Sequence, residues 1–177
     1  MPPHAAPSPP LRVNRAPVLT LWAAVVAERV GHPPDAALTL GRAVAGASAQ
    51  AKARRLGIAD DQGEDRAAGE HHAKNAPART VRLLGRNIAV ADSGAALDKG
   101  KPASATGVRT YLTRAFGDRL GEVRVAMEAL AASLPPDELN RVGFRLYERF
   151  RPEVPEGVGG WGAKAVLDIR RIERAAE

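Results

Sequence analysis

The sequence predicts a mainly α fold, a helical hairpin plus a C-terminal helical bundle with a small β-hairpin element between them. Three observations carry that prediction. Apolar residues recur at helical spacing in several separate stretches. The device Pro-Pro-Asp, at residues 33–35 and 135–137, twice follows a helix stop and suits the first turn of a new helix. Only one stretch, "TVRLLGRNIAVAD" at residues 80–92, has strand chemistry.

The chain has 177 residues, enough for one domain with a real core. Its 26 Lys and Arg against 20 Asp and Glu give a formal charge of +6, which favours an anionic partner and says nothing about fold. An Ala-, Arg-, Gly- and Pro-rich composition also follows from a GC-rich genome, so part of the basic excess needs no functional cause. The sequence has no cysteine, which excludes disulfides, thiol catalysis and zinc ribbons together.

Residues 1–16 hold five prolines and read as a disordered tail. Residues 17–57 read as the helical hairpin. Asn14 is the expected cap of its first arm, with Pro17 in the first turn. Val18, Leu21, Trp22, Val25, Val26 and Val30 form its apolar face, and Gly31 ends it. Arg12 and Arg15 before "APVLTLWAAVVA" imitate a secretory leader, but the helix continues into "ERVG". A cytoplasmic location is therefore expected.

The second arm runs from about Pro34 to Leu56. Gly41, Ala45, Ala49 and Ala53 repeat every four residues, a smooth stripe for a closely approaching helix. A short first arm cannot cover all of it, so the stripe is expected to pack on the C-terminal helices or on a second copy. The arm ends in Lys52, Arg54 and Arg55, more cations than the helix dipole requires.

Residues 58–78 read as a flexible linker, and 59–77 within it are acidic and free of large apolar side chains. His71 and His72 lie in it, but a mobile loop does not fix ligand geometry, so no metal site is expected. Residues 79–177 read as a small β element followed by a helical domain. The β element has two or three strands over 80–102, with turns expected at "GRN" and at "DKGK". Ser104 or Thr106 then caps a helix carrying Val108, Tyr111, Leu112 and Phe116, bent at Gly117. The next helix places Leu120, Val123, Met127 and Leu130 on one face. The one after packs through Leu139, Phe144, Tyr147 and Phe150. "AVLDIRRIERAAE" reads as a last short helix.

No catalytic constellation is visible, and no cofactor is expected. "GVGGWGAK", Gly157 to Lys164, is glycine-rich backbone opening a helix, where phosphates bind. It fits neither the Walker nor the dinucleotide spacing. The glycines are expected to serve a turn around a buried Trp161; the enzyme alternative has Gly159, Gly160 and Lys164 holding a phosphate-bearing substrate. The arginines are the stronger signal. Arg141, Arg145 and Arg149 form one helical stripe, which either tracks phosphates or is the solvated back of an amphipathic helix. Arg12, Arg15, Lys52, Arg54 and Arg55 make a second basic group. A helix-turn-helix reading fails on the second arm, which is long and lacks base-reading side chains in its middle.

From "RAPVLTLWAAVVAERVG" through "FRPEVPEG" to "GWGAKAVLD", the chain resembles a family of bacterial hypothetical proteins to which no activity is attached. The resemblance implies a bacterial, soluble, self-contained protein and transfers no function. The expectation is a non-enzymatic DNA-associated or regulatory binding protein making mainly phosphate-backbone contacts. The alternative is a helical dimerising or scaffold protein, with a homodimer or another protein as partner and no membrane.

Overall fold

In the computed structural model, residues 9–55, 79–154 and 165–177 are described. They form a mainly α fold with three two-stranded antiparallel sheets. In chain order they are β1 (Leu11–Arg12), α1 (Arg15–Arg29), α2 (Pro34–Arg55), β2 (Arg79–Leu83) and β3 (Arg86–Val90), then β4 (Leu97–Asp98), β5 (Lys101–Pro102) and α3 (Ala105–Phe116). After a 3-10 turn come α4 (Leu120–Ala132), α5 (Pro136–Phe150), β6 (Val166–Leu167) and α6 (Ile169–Arg174).

Helix α1 organises the rest. Every residue from Pro17 to Ala27 is buried, around the whole circumference and not on one face only. A helix apolar all round belongs in a core, and α1 touches α2, α3, α4 and α5. Inside it, the Thr20 hydroxyl donates to the Ala16 carbonyl at 2.8 Å. Trp22 crosses to α5, where its indole N–H donates to the Gly143 carbonyl at 2.9 Å and its ring meets Phe150 edge-on at 5.5 Å. One cluster of buried side chains extends from Leu11 to Ala175, so the hairpin and the C-terminal helices share a core.

The small residues of α2 divide between two faces. Gly41 and Ala45 are buried, and a Cβ on Gly41 would collide with the Thr20 carbonyl and lie 2.9 Å from the Ala24 nitrogen. The close partner of Gly41 and Ala45 is thus α1, and α2 also packs on α3 of the C-terminal part, as expected. The stripe is also only half used, because Ala49 is exposed.

Four further expectations are corrected. The tail reading fails for residues 9–16: Leu11 and Val13 are buried, and β1 pairs antiparallel with β6, Leu11 opposite Leu167. Two apolar residues at alternate positions are enough to close a strap over the core. Asn14 stands at the helix start but makes no side-chain cap bond, whereas Ser104 does, accepting from the Gly107 N–H at 3.1 Å. The β2–β3 turn is Leu84-Gly85, not "GRN", since Arg86 and Asn87 already pair in β3. Both turn residues have positive φ, 50° and 81°, as a tight primed turn requires. Finally, Val166–Leu167 is strand, and only Ile169–Arg174 is helix, capped by Asp168.

The "DKGK" turn does form, joining β4 to β5 with Lys99 at φ 53° and Gly100 at φ 82°. The linker at 58–78, His71 and His72, and the loop with Gly159, Gly160, Trp161 and Lys164 lie outside the described residues. No helix among the described residues is long and apolar enough to cross a membrane.

Candidate nucleic-acid interface

The face of α2 turned away from α1 carries Arg42, Gly46 and Gln50, all exposed and one turn apart. It floors a groove of about 630 Å³ whose far wall is Asn87 and Ala89 of β3 with Leu97 and Asp98 of β4. The groove stays open because its floor is small: nothing lies within 4 Å of the position a Cβ on Gly46 would take. Thr39 ties the wall to the floor. Its hydroxyl donates to the Ala36 carbonyl at 2.7 Å and accepts from the Ala96 N–H at 3.0 Å.

At one side of the groove, the Arg42 guanidinium lies 4.6 Å from the centroid of the Tyr111 ring. A cation over an aromatic face is attracted by the ring quadrupole. Burial pushes the Tyr111 phenol above its ordinary pKa, and the Arg42 charge opposes that shift. Tyr111 also borders a second concavity of about 340 Å³, where Arg114 of α3 and Arg12 of β1 meet.

On the other side the β2–β3 hairpin acts as a bridge. Arg82 and Asn87 pair across the strands, and Arg82 donates to the Asn87 carboxamide oxygen at 3.2 Å. Arg82 in turn borders a third concavity of about 240 Å³ with Asn140 and Arg141 of α5. Asn140 fixes that junction, accepting from the Leu84 N–H at 2.9 Å and donating to the Arg82 carbonyl at 3.0 Å. Five arginines are thereby linked in one track: Arg12, Arg114, Arg42, Arg82 and Arg141.

Their electrostatic state separates them from four other arginines. Arg109, Arg119, Arg124 and Arg170 are ion-paired, to Asp35, Glu122, Glu28 and Asp168. None of the five in the track makes an ion pair among the described residues. Asp98 and Asp137 are the acids bordering it.

The sequence-predicted basic residues divide accordingly. Arg12 and Arg141 lie at the two ends of the track. Lys52 is exposed further along α2, and Arg145 is exposed one turn beyond Arg141. Two others are occupied: Arg15 donates to the Pro152 carbonyl at 2.8 Å, and Arg149 donates to the carbonyls of Ala175 and Glu177 at 2.7 and 3.3 Å. Within the stripe of Arg141, Arg145 and Arg149, only Arg149 is thus engaged by the chain's last residues. Arg54 and Arg55 lie in the last turn of α2, and their side chains are outside the described residues. Arg82, Arg114 and the Tyr111 platform escaped the sequence reading, because only the folded hairpin and α3 bring them beside Arg42.

No family model, no curated protein and no solved structure matches this chain. The functional reading rests on the geometry of the track.

Proposed function

We propose that this protein is a non-enzymatic, DNA-associated binding protein that holds the phosphate backbone along the arginine track. The observation that supports this reading most directly is the sorting of the arginines. Arg109, Arg119, Arg124 and Arg170 are neutralised by carboxylates, while the five of the track make no ion pair among the described residues. Unpaired guanidiniums repel one another and gain nothing from proximity unless an anion joins them. A polyanion with regularly spaced phosphates meets that need, and Arg offers forked donors that fit phosphate oxygens.

Sequence preference should be weak. Between the arginines, α2 presents Ala43, Gly46 and Ala47, which carry no group that reads a base edge. A protein partner with an acidic surface remains the competing reading.

Two triple variants of equal charge separate specific use of the track from general basicity. One replaces Arg42, Arg82 and Arg114 by Ala; the other replaces Arg170, Arg171 and Arg174 of α6. Fluorescence anisotropy on a labelled duplex at low salt should show at least a tenfold loss for the first and less than threefold for the second. Equal losses, or no binding by the parent, overturn the proposal.

A further inference from the structure

The groove has more than a backbone needs. A phosphate track calls for cations on an open surface, yet Arg42 borders a concavity of about 630 Å³, within the range of sites that enclose small organic groups. Its walls combine apolar surface, Ile88, Ala89 and Leu97, with polar groups of several kinds. Asn87 offers a carboxamide and Asp98 a carboxylate acceptor. That mixture fits a flat, polar-edged aromatic group better than a phosphate.

The platform at its side points the same way. The Arg42 guanidinium carbon lies over the Tyr111 ring, 4.6 Å from its centroid. A planar guanidinium fixed by a ring beneath it is a stacking surface for a base. The rim arginines then hold the phosphates on either side of the base that enters.

We infer that the groove between α2 and the β3–β4 wall receives an unpaired nucleobase of a single strand, stacked on Arg42 and hydrogen-bonded by Asn87 and Asp98. This rests on the backbone reading above and deepens it: the preferred ligand is single-stranded nucleic acid, and duplex DNA occupies only the arginines. In a duplex the bases are stacked and paired, so the groove stays empty.

Three probes of equal length test this: a single strand, its duplex, and a single strand of abasic sites that keeps the phosphates. The parent should bind the single strand on the order of tenfold more tightly than the abasic strand, the scale of one base–side-chain stack, and more tightly than the duplex. Gly46→Leu fills the floor of the groove at a position where a side chain meets no neighbour. It should remove the preference for the base-bearing strand, so that the single strand and the abasic strand bind alike. A nucleoside monophosphate should bind far more weakly than the strand, since it engages the groove without the track. Equal, salt-sensitive binding of all three probes by the parent overturns this inference and leaves the backbone reading standing. Retained preference in Gly46→Leu, with the variant folded by circular dichroism, also overturns it. Absence of binding to every probe overturns both readings.

Discussion

The carbonyl of Thr20 occupies the space a Cβ on Gly41 would need, and this contact sets how closely α2 lies on α1. Five residues further along α2, Gly46 has nothing within 4 Å of its own missing Cβ. Two glycines in one helix therefore serve opposite purposes. Gly41→Ala should destabilise the fold by about 1–3 kcal/mol, the usual cost of overpacking against a backbone that cannot yield. Gly46→Ala should stabilise it by up to about 1 kcal/mol through helix propensity. Urea unfolding of both variants checks the pair, and shifts of the same sign contradict the assignment of faces.

Asn140 holds the β2–β3 hairpin to α5 through two hydrogen bonds, one to the Leu84 N–H and one to the Arg82 carbonyl. Leu84 sits at φ 50°, a conformation a leucine adopts only when held there. Asn140→Ala should cost about 1–3 kcal/mol, since a part-buried N–H loses its acceptor. It should also weaken nucleic-acid binding, because Arg82 leaves its place beside Asn87. A variant with unchanged stability and unchanged affinity refutes this account of the hairpin.

Tyr147 is buried between α5 and the chain start, and burial pushes its phenol up to about 12, against the opposing charges of Arg15 and Arg151. A raised pKa means that the unfolded chain releases the proton first. Stability is therefore full below about pH 10, the ordinary value, and falls as pH rises from there through about 12. Tyr147→Phe should flatten that loss in an alkaline denaturation series. Identical alkaline profiles for parent and variant contradict it.

His32 shifts the other way. Burial, helped by the charge of Arg79, lowers its pKa below 6.5, so the unfolded chain takes up the proton first. Stability should be full above that value and decline as pH falls below it. Thermal melts of the parent and His32→Gln between pH 7 and pH 5 measure the difference. A parent that melts as high at pH 5 as at pH 7, with the variant unchanged, counts against the shift.

The helices were legible in the sequence because they have apolar residues at helical spacing, a stop or start residue, or both. Ser104, Gly117 and the second Pro-Pro-Asp all act as their chemistry suggests. What stayed hidden was brief or long-range. Strands β1 and β6 are two residues each and lie at opposite ends of the chain, so no local pattern announces them. Leu84 takes a turn position that propensity gives to Asn or Gly, because Asn140, far along the chain, secures it.

The site was legible only at its ends. Arg12 and Arg141 stood out as basic residues, but Arg149 and Arg15 stood out equally and are occupied by backbone carbonyls. Whether a basic side chain is free or engaged is a property of tertiary contacts, and spacing alone does not carry it. The small residues of α2 were ambiguous for a related reason: packing on α1 and flooring a groove call for the same side chains on opposite faces.

The most direct test of the arginine track is the salt dependence of DNA binding. Each phosphate neutralised contributes a slope of about 0.9 on a log-log plot of affinity against salt for duplex. If Arg42, Arg82 and Arg114 each neutralise one phosphate, their joint replacement by Ala should reduce the slope by about 2 to 3 as well as the affinity. Anisotropy titrations of parent and triple variant at four salt concentrations measure both. A parent whose binding falls steeply with salt, and a variant with a visibly shallower slope, is the predicted result. Equal slopes for the two proteins, or a parent that binds independently of salt, would contradict it.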